Sequence, residues 1–115
     1  MILDVSTKHI TPDTAIVAMS GALTLGTSLH AADTNLQNLI KAGTIKIVLD
    51  LSGVPYIDSA GLGAIVHAYG LAMEYHGTMR LCGINEKVAS LLKMTRMDTF
   101  LAVDPDSATS LAALA

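Results

Sequence analysis

A chain of 115 residues, 51% of them hydrophobic, is long enough for one domain with a core and too short for two. The formal net charge is -3, no Lys/Arg cluster occurs and aromatics are 3%; this argues against a nucleic-acid backbone binder and leaves no base-stacking platform. The composition is globular rather than disordered, and apolar enough to leave some surface for a partner.

The single cysteine, Cys82, can form no internal disulfide and reads as a small buried hydrophobe within Met79-Arg80-Leu81-Cys82. No basic stretch followed by an apolar run stands at the start, so no secretory signal is expected. The most apolar stretch, 62–73, is broken by His67 and Gly70 and falls short of the roughly 18 residues of a membrane span. The expectation is a cytoplasmic protein with no membrane insertion.

In chain order, residues 2–9 and 14–20 read as two strands around a Thr11-Pro12-Asp13 turn. The second, Ala15-Ile16-Val17-Ala18-Met19, is a nearly continuous apolar run, as in a strand buried on both faces. Leu29, Ala32, Leu36, Leu39 and Ile40 recur at helical spacing over 28–42, and Gly43 supplies the stop. Residues 45–51 form a third strand, followed by a Ser52-Gly53-Val54-Pro55 loop. A second helix covers 59–76 and ends at Gly77, and a fourth strand covers 78–84. Asn85 caps a third helix over 86–96, with Glu86 in its first turn, where the helix dipole favours an acid. A short strand at 100–103 and a helix at 107–114 capped by Asp106 complete the chain. The order β-β-α-β-α-β-α-β-α predicts a single α/β domain over 1–115: a mixed, mostly parallel sheet with helices packed on it. Binding sites in such sheets collect at the carboxyl ends of the strands.

Chemistry concentrates in Leu49-Asp50-Leu51-Ser52-Gly53-Val54-Pro55-Tyr56-Ile57-Asp58-Ser59-Ala60-Gly61-Leu62-Gly63, where a strand leads by a short loop into a helix. A serine at that helix start either caps free backbone N–H groups or presents its hydroxyl to solvent. A phosphate there would be favoured by the positive helix end and opposed by the neighbouring Asp58. Gly61 and Gly63 each cost about 1 kcal/mol relative to alanine in a helix. Either they let another surface approach the backbone near Ser59, or they let the helix pack closely on its own sheet.

Ile57-Asp58-Ser59-Ala60-Gly61-Leu62-Gly63 resembles the signature of the STAS domain, the fold of bacterial anti-sigma factor antagonists. Ser20-Gly21-Ala22-Leu23, the stretch Val88 to Thr95 and Phe100 extend the resemblance over the whole chain. It implies a non-enzymatic switch: Ser59 is the phospho-acceptor, Asp58 its flanking acid, and Gly61, Leu62 and Gly63 part of the docking surface. The implied partners are an anti-sigma factor that is itself a serine kinase, and a serine phosphatase that resets the switch. The unphosphorylated form would hold the kinase and release a sigma factor. If the third and fourth strands are parallel neighbours, Asn85 and Glu86 share an edge with Ser59, and Thr24 joins them. The chain departs from well-known members, which carry acidic Gly-Glu-Leu-Asp where this one has Gly21-Ala22-Leu23-Thr24, and it carries Arg96 where a glycine is common.

Other chemistries fit poorly. A nucleophile elbow requires glycine two positions before the serine, where Ile57 stands. A dinucleotide fingerprint beginning at Gly61 requires glycine at 66, which is Val66. His9, His30, His67 and His76 have no metal-ligand spacing, so neither cofactor nor metal is expected. Met94 and Met97 are the pair to inspect for exposure. The rival within the fold is an unswitched STAS scaffold, or an accessory subunit of a signalling assembly or a transporter ATPase.

Overall fold

The computed structural model describes residues 3–115. Its elements are β1 (Asp4–Thr11), β2 (Thr14–Ser20), α1 (Thr27–Lys41), β3 (Lys46–Gly53), α2 (Ser59–Glu74), β4 (Thr78–Cys82), α3 (Glu86–Met94), β5 (Ala102–Asp104) and α4 (Ser107–Leu114), with a 3-10 turn at Met97–Thr99. The strands lie in the order β1-β2-β3-β4-β5. β1 runs antiparallel to β2 and every other pairing is parallel. This is the mixed, mostly parallel sheet that the element order predicts.

Strand alternation sorts the apolar residues. Val17 and Met19 of β2, Ile47, Leu49 and Leu51 of β3, and Met79 and Leu81 of β4 share one core with Leu29, Leu36 and Ile40 of α1, Leu62 and Ile65 of α2, and Val88 and Leu92 of α3. Each fully buried Leu or Ile of this kind contributes roughly 1.5–3 kcal/mol. On the opposite face α4 packs across β3, β4 and β5. There Val48, Arg80 and Asp104 alternate with the inward residues, and Arg80 and Asp104 form an ion pair.

That arrangement corrects one expectation. β2 is not buried on both faces: Ala15, Val17 and Met19 are buried, whereas Ile16 and Ala18 stay partly exposed, because α4 packs on β3 to β5. No helix among the described residues is long and apolar enough to cross a membrane.

Element ends differ where tertiary contacts outweigh local signals. β3 runs through Ser52-Gly53 because Gly53 pairs with Ser20 and accepts a hydrogen bond from the Gly21 amide at 3.0 Å. The last strand begins at Ala102 rather than Phe100; Leu101 enters the core, while Phe100 lies on the surface with its ring centroid 5.8 Å from that of Tyr69. The first strand, expected over 2–9, runs to Thr11 with an irregularity between His9 and Thr11, and residue 2 lies outside the described residues.

Gly43, at φ 106, ends α1 as expected. At the end of α2 the left-handed residue is His76, at φ 66, not Gly77. The amides of His76 and Gly77 bond Met73 and Ala72 in a closing loop. Gly77 is required for a different reason, since a Cβ there would collide with Ile45. The third helix stops at Met94, and Arg96 adopts φ 61, a conformation glycine accepts more readily. The unusual arginine thus occupies a glycine-like backbone position. Met94 is 77% exposed, Met97 packs against the core and Cys82 is buried. Burial pushes the Cys82 thiol up to about 11.

Candidate functional site at the carboxyl ends of the strands

β2, β3 and β4 are parallel neighbours, so their carboxyl ends open onto one edge. Beyond that edge the chain after β2 runs alongside the chain after β3. Gly21 N–H donates to the Gly53 carbonyl, Leu23 N–H to Tyr56 at 3.1 Å, and Asp58 N–H back to Leu23 at 3.2 Å. Leu23 and Ile57, both buried, form a parallel bridge. The two loops therefore form one short ribbon, and it delivers Asp58 to the start of α2.

Asp58 is the N-cap. Its backbone is extended, and Oδ1 accepts a hydrogen bond from the Gly61 amide at 2.8 Å. Oδ2 accepts from the Leu25 amide at 3.0 Å, which ties the loop after β2 to the helix start. The Leu25 and Gly61 amides, in that order of importance, hold the Asp58 carboxyl below the usual carboxylate range. It is ionised at neutral pH.

Of the two roles open to Ser59, capping is taken by Asp58. Ser59 is the first residue of α2 and is exposed, so its hydroxyl faces solvent at the positive end of a sixteen-residue helix.

The two glycines divide. Gly61 is buried, and a Cβ there would run into the Leu23 carbonyl, so this glycine serves close packing of the helix on its own chain. Gly63 is exposed with open space where a Cβ would stand. Leu62 is 8% exposed and belongs to the core. Gly61 and Leu62 are therefore turned away from solvent, and of the three positions only Gly63 lies open.

Asn85 caps α3 as expected, its Oδ1 accepting from Val88 N–H at 2.9 Å. It also does something that its sequence position does not reveal: its Nδ2 donates to the Pro55 carbonyl at 2.8 Å, bracing the loop that leads to Asp58. Glu86 is exposed in the first turn of α3, and Thr24 is half-buried in the ribbon between Leu23 and Leu25. All of these residues belong to segments at the carboxyl edge.

One residue escaped the sequence reading. Leu25 is 81% exposed, although its backbone is fixed to Asp58. With Leu29 of α1 and Ala60, Gly63 and Ala64 of α2 it borders a groove of about 280 Å³ beside Ser59. The usable signal was a second large apolar residue, besides Leu23, in the short loop that ends at Gly26.

Comparison with known proteins shows the family of the fold. A candidate anti-sigma factor antagonist from Thermotoga maritima superposes with a TM-score of 0.88 at 26% identity, over 96% of this chain and 93% of that one. An anti-sigma factor antagonist from Mycobacterium paratuberculosis gives a TM-score of 0.82 at 17% identity, over 97% and 93%, and shares the fold. In sequence, 49 residues are 41% identical to an anti-sigma F factor antagonist of Paenibacillus polymyxa, covering 43% of this chain and 42% of that relative. The STAS domain family model matches residues 6–110, nearly the whole of the described chain, and the chain belongs to the STAS domain family.

Proposed function

We propose that this protein is an anti-sigma factor antagonist whose partner is an anti-sigma serine kinase, and that transfer of the ATP γ-phosphoryl group to the Ser59 Oγ ends their complex. The observation that carries this reading is the division of labour at the start of α2. Asp58 satisfies the cap, so the exposed Ser59 hydroxyl has no structural duty to lose on modification.

Phosphorylation adds about -1.5 to -2 charges at pH 7. The helix terminus offsets part of that charge, and solvent the rest, so the domain tolerates it. A docked partner does not, because its surface would have to accept a desolvated dianion beside the ionised Asp58. The docking surface in this reading comprises Asp58, Ser59 and Gly63, extended along the same edge by Thr24, Asn85 and Glu86. A serine phosphatase regenerates the free hydroxyl, and the cycle runs in the cytoplasm.

The test is incubation with the cognate kinase and ATP, then peptide mapping and a binding assay. Phosphate is expected on Ser59, with Ser59→Ala still binding the kinase and the phosphorylated form released. Phosphate on Thr95 or Ser52 instead defeats the assignment. Equal binding by both forms would mark an unswitched scaffold or an accessory subunit of a transporter.

A further inference from the structure

The two edges of the sheet are guarded unequally. β5, at one edge, has three residues, and a short edge offers little to another strand. β1, at the other, has eight, and seven of them are exposed. One side of β1 pairs with β2, so every second residue turns its N–H and C=O outward, unpaired.

β1 carries two charges, Asp4 and Lys8, and both are exposed. Their partners on β2 are Ser20 and Ile16, and Ser6 between them faces Ala18, so Asp4, Ser6 and Lys8 lie on one face of the sheet. It is the face on which α4 packs over β3 to β5.

Pairing β1 with the β1 of a second copy, antiparallel about a twofold axis, turns these charges into a register code. With the axis at Ser6, Asp4 stands opposite the second copy's Lys8 and Lys8 opposite its Asp4. Val5 and Thr7, both β-branched, also stand opposite one another. An axis at residue 4 puts Asp4 against Asp4, and an axis at residue 8 puts Lys8 against Lys8; both juxtapose like charges. An axis at Thr7 leaves both charges without partners. The strand is thus complementary to itself in one register.

We propose that β1 is a homodimerisation strand: two copies join antiparallel about Ser6 into one continuous ten-stranded sheet, with paired Asp4–Lys8 contacts setting the register. About four to six new main-chain hydrogen bonds form, whichever set of residues points outward. Ser59 follows β3, two strands in from this edge, so each dimer carries two phospho-acceptor sites on its outer surface. The dimer does not depend on the phosphorylation reading.

Three measurements test it. In analytical ultracentrifugation the wild type should show a concentration-dependent dimer. Asp4→Lys and Lys8→Asp should each shift to monomer, because each sets like charges opposite one another twice. Mixed together, the two variants should form a heterodimer, and Asp4→Lys/Lys8→Asp in one chain should regain the homodimer. Ser6→Cys should crosslink under mild oxidation, since directly opposed residues on antiparallel strands fall within disulfide reach. Cys82 is buried and contributes little background. A wild type that is monomeric at every concentration overturns the proposal and makes Asp4 and Lys8 guards against edge pairing. So do single variants that dimerise like wild type, a mixture with no heterodimer, or Ser6→Cys crosslinking no faster than a Ser90→Cys control on α3.

Discussion

Two serine–aspartate arrangements in this domain behave in opposite ways. Beneath α4, the fully buried Ser110 hydroxyl donates to Asp104 at 2.6 Å, and Arg80 holds both carboxylate oxygens of Asp104 at 2.7 and 3.0 Å. At the start of α2, Asp58 spends its oxygens on the backbone amides of Gly61 and Leu25, and the neighbouring Ser59 is left exposed. Both carboxyls are held below the usual range, by different means. For Asp104 the cause is Arg80 and then Ser110; for Asp58 it is two backbone N–H groups. A carboxylate that binds side chains uses up its serine and locks a helix to the sheet. A carboxylate that binds backbone ties a loop to a helix start and leaves the adjacent side chain available for chemistry.

The sharpest way to break this contrast is to remove each acid in turn. Asp104→Ala leaves Arg80 and the buried Ser110 hydroxyl without partners, and should cost about 2–4 kcal/mol in urea unfolding. Asp58→Ala should cost about 1 kcal/mol, the ordinary value of a lost N-cap. If the two losses are equal, Asp58 does more than cap and tie.

The paired glycines give the next effect. Gly61→Ala places a methyl group against the Leu23 carbonyl, and should cost about 1–3 kcal/mol, since backbone cannot yield cheaply. Gly63→Ala meets open space and should stabilise α2 by up to about 1 kcal/mol. Thermal melts should therefore move in opposite directions. Gly63→Gln, which melts no lower than wild type, should still weaken binding of the kinase partner by occupying the groove beside Leu25.

Acid sharpens the comparison further. The folded pKa values of Asp58 and Asp104 lie below the ordinary 3.8, so each contributes stability that is complete above that value and lost as pH falls through the folded value. Stability should be flat at neutral pH and decline below about pH 4. Asp58→Asn should flatten part of that decline, as read from urea midpoints across the acid range.

The smallest effect should come from Ser59. Ser59→Asp changes an exposed residue at a helix start, where a negative charge is mildly favoured, so its stability should stay within about 0.5 kcal/mol of wild type. A large loss would show that the hydroxyl is structural. Glu86→Lys should likewise melt close to wild type while changing partner affinity, because Asn85, not Glu86, supplies the cap of α3.

The order of elements was legible from the sequence because burial periodicity is local. The 3- and 4-residue spacings through Leu29, Ala32, Leu36 and Ile40 and the alternating strand residues need no knowledge of the fold. The Asp58-Ser59 helix start and the Asn85 and Asp106 caps were equally legible, since a cap bonds an amide only two or three residues away. The sequence also held both readings of the two glycines and of Ser59, cap or exposed hydroxyl, without deciding between them, and its apolar run through β2 pointed to burial on both faces, which the structure corrects.

Those choices fall to contacts made across long stretches of chain. Gly61 is excluded from solvent by Leu23, thirty-eight residues earlier, and Asp58 is occupied by the Leu25 amide, thirty-three residues earlier. Ile16 and Ala18 stay partly exposed because α4, at the far end of the chain, packs on β3, β4 and β5. The sequence by itself determined which residues form helices and strands, and that Ser59 stands at a helix start. The tertiary structure alone decided that this serine is free, because its neighbour's hydrogen bonds are set by a loop that only the folded sheet brings near.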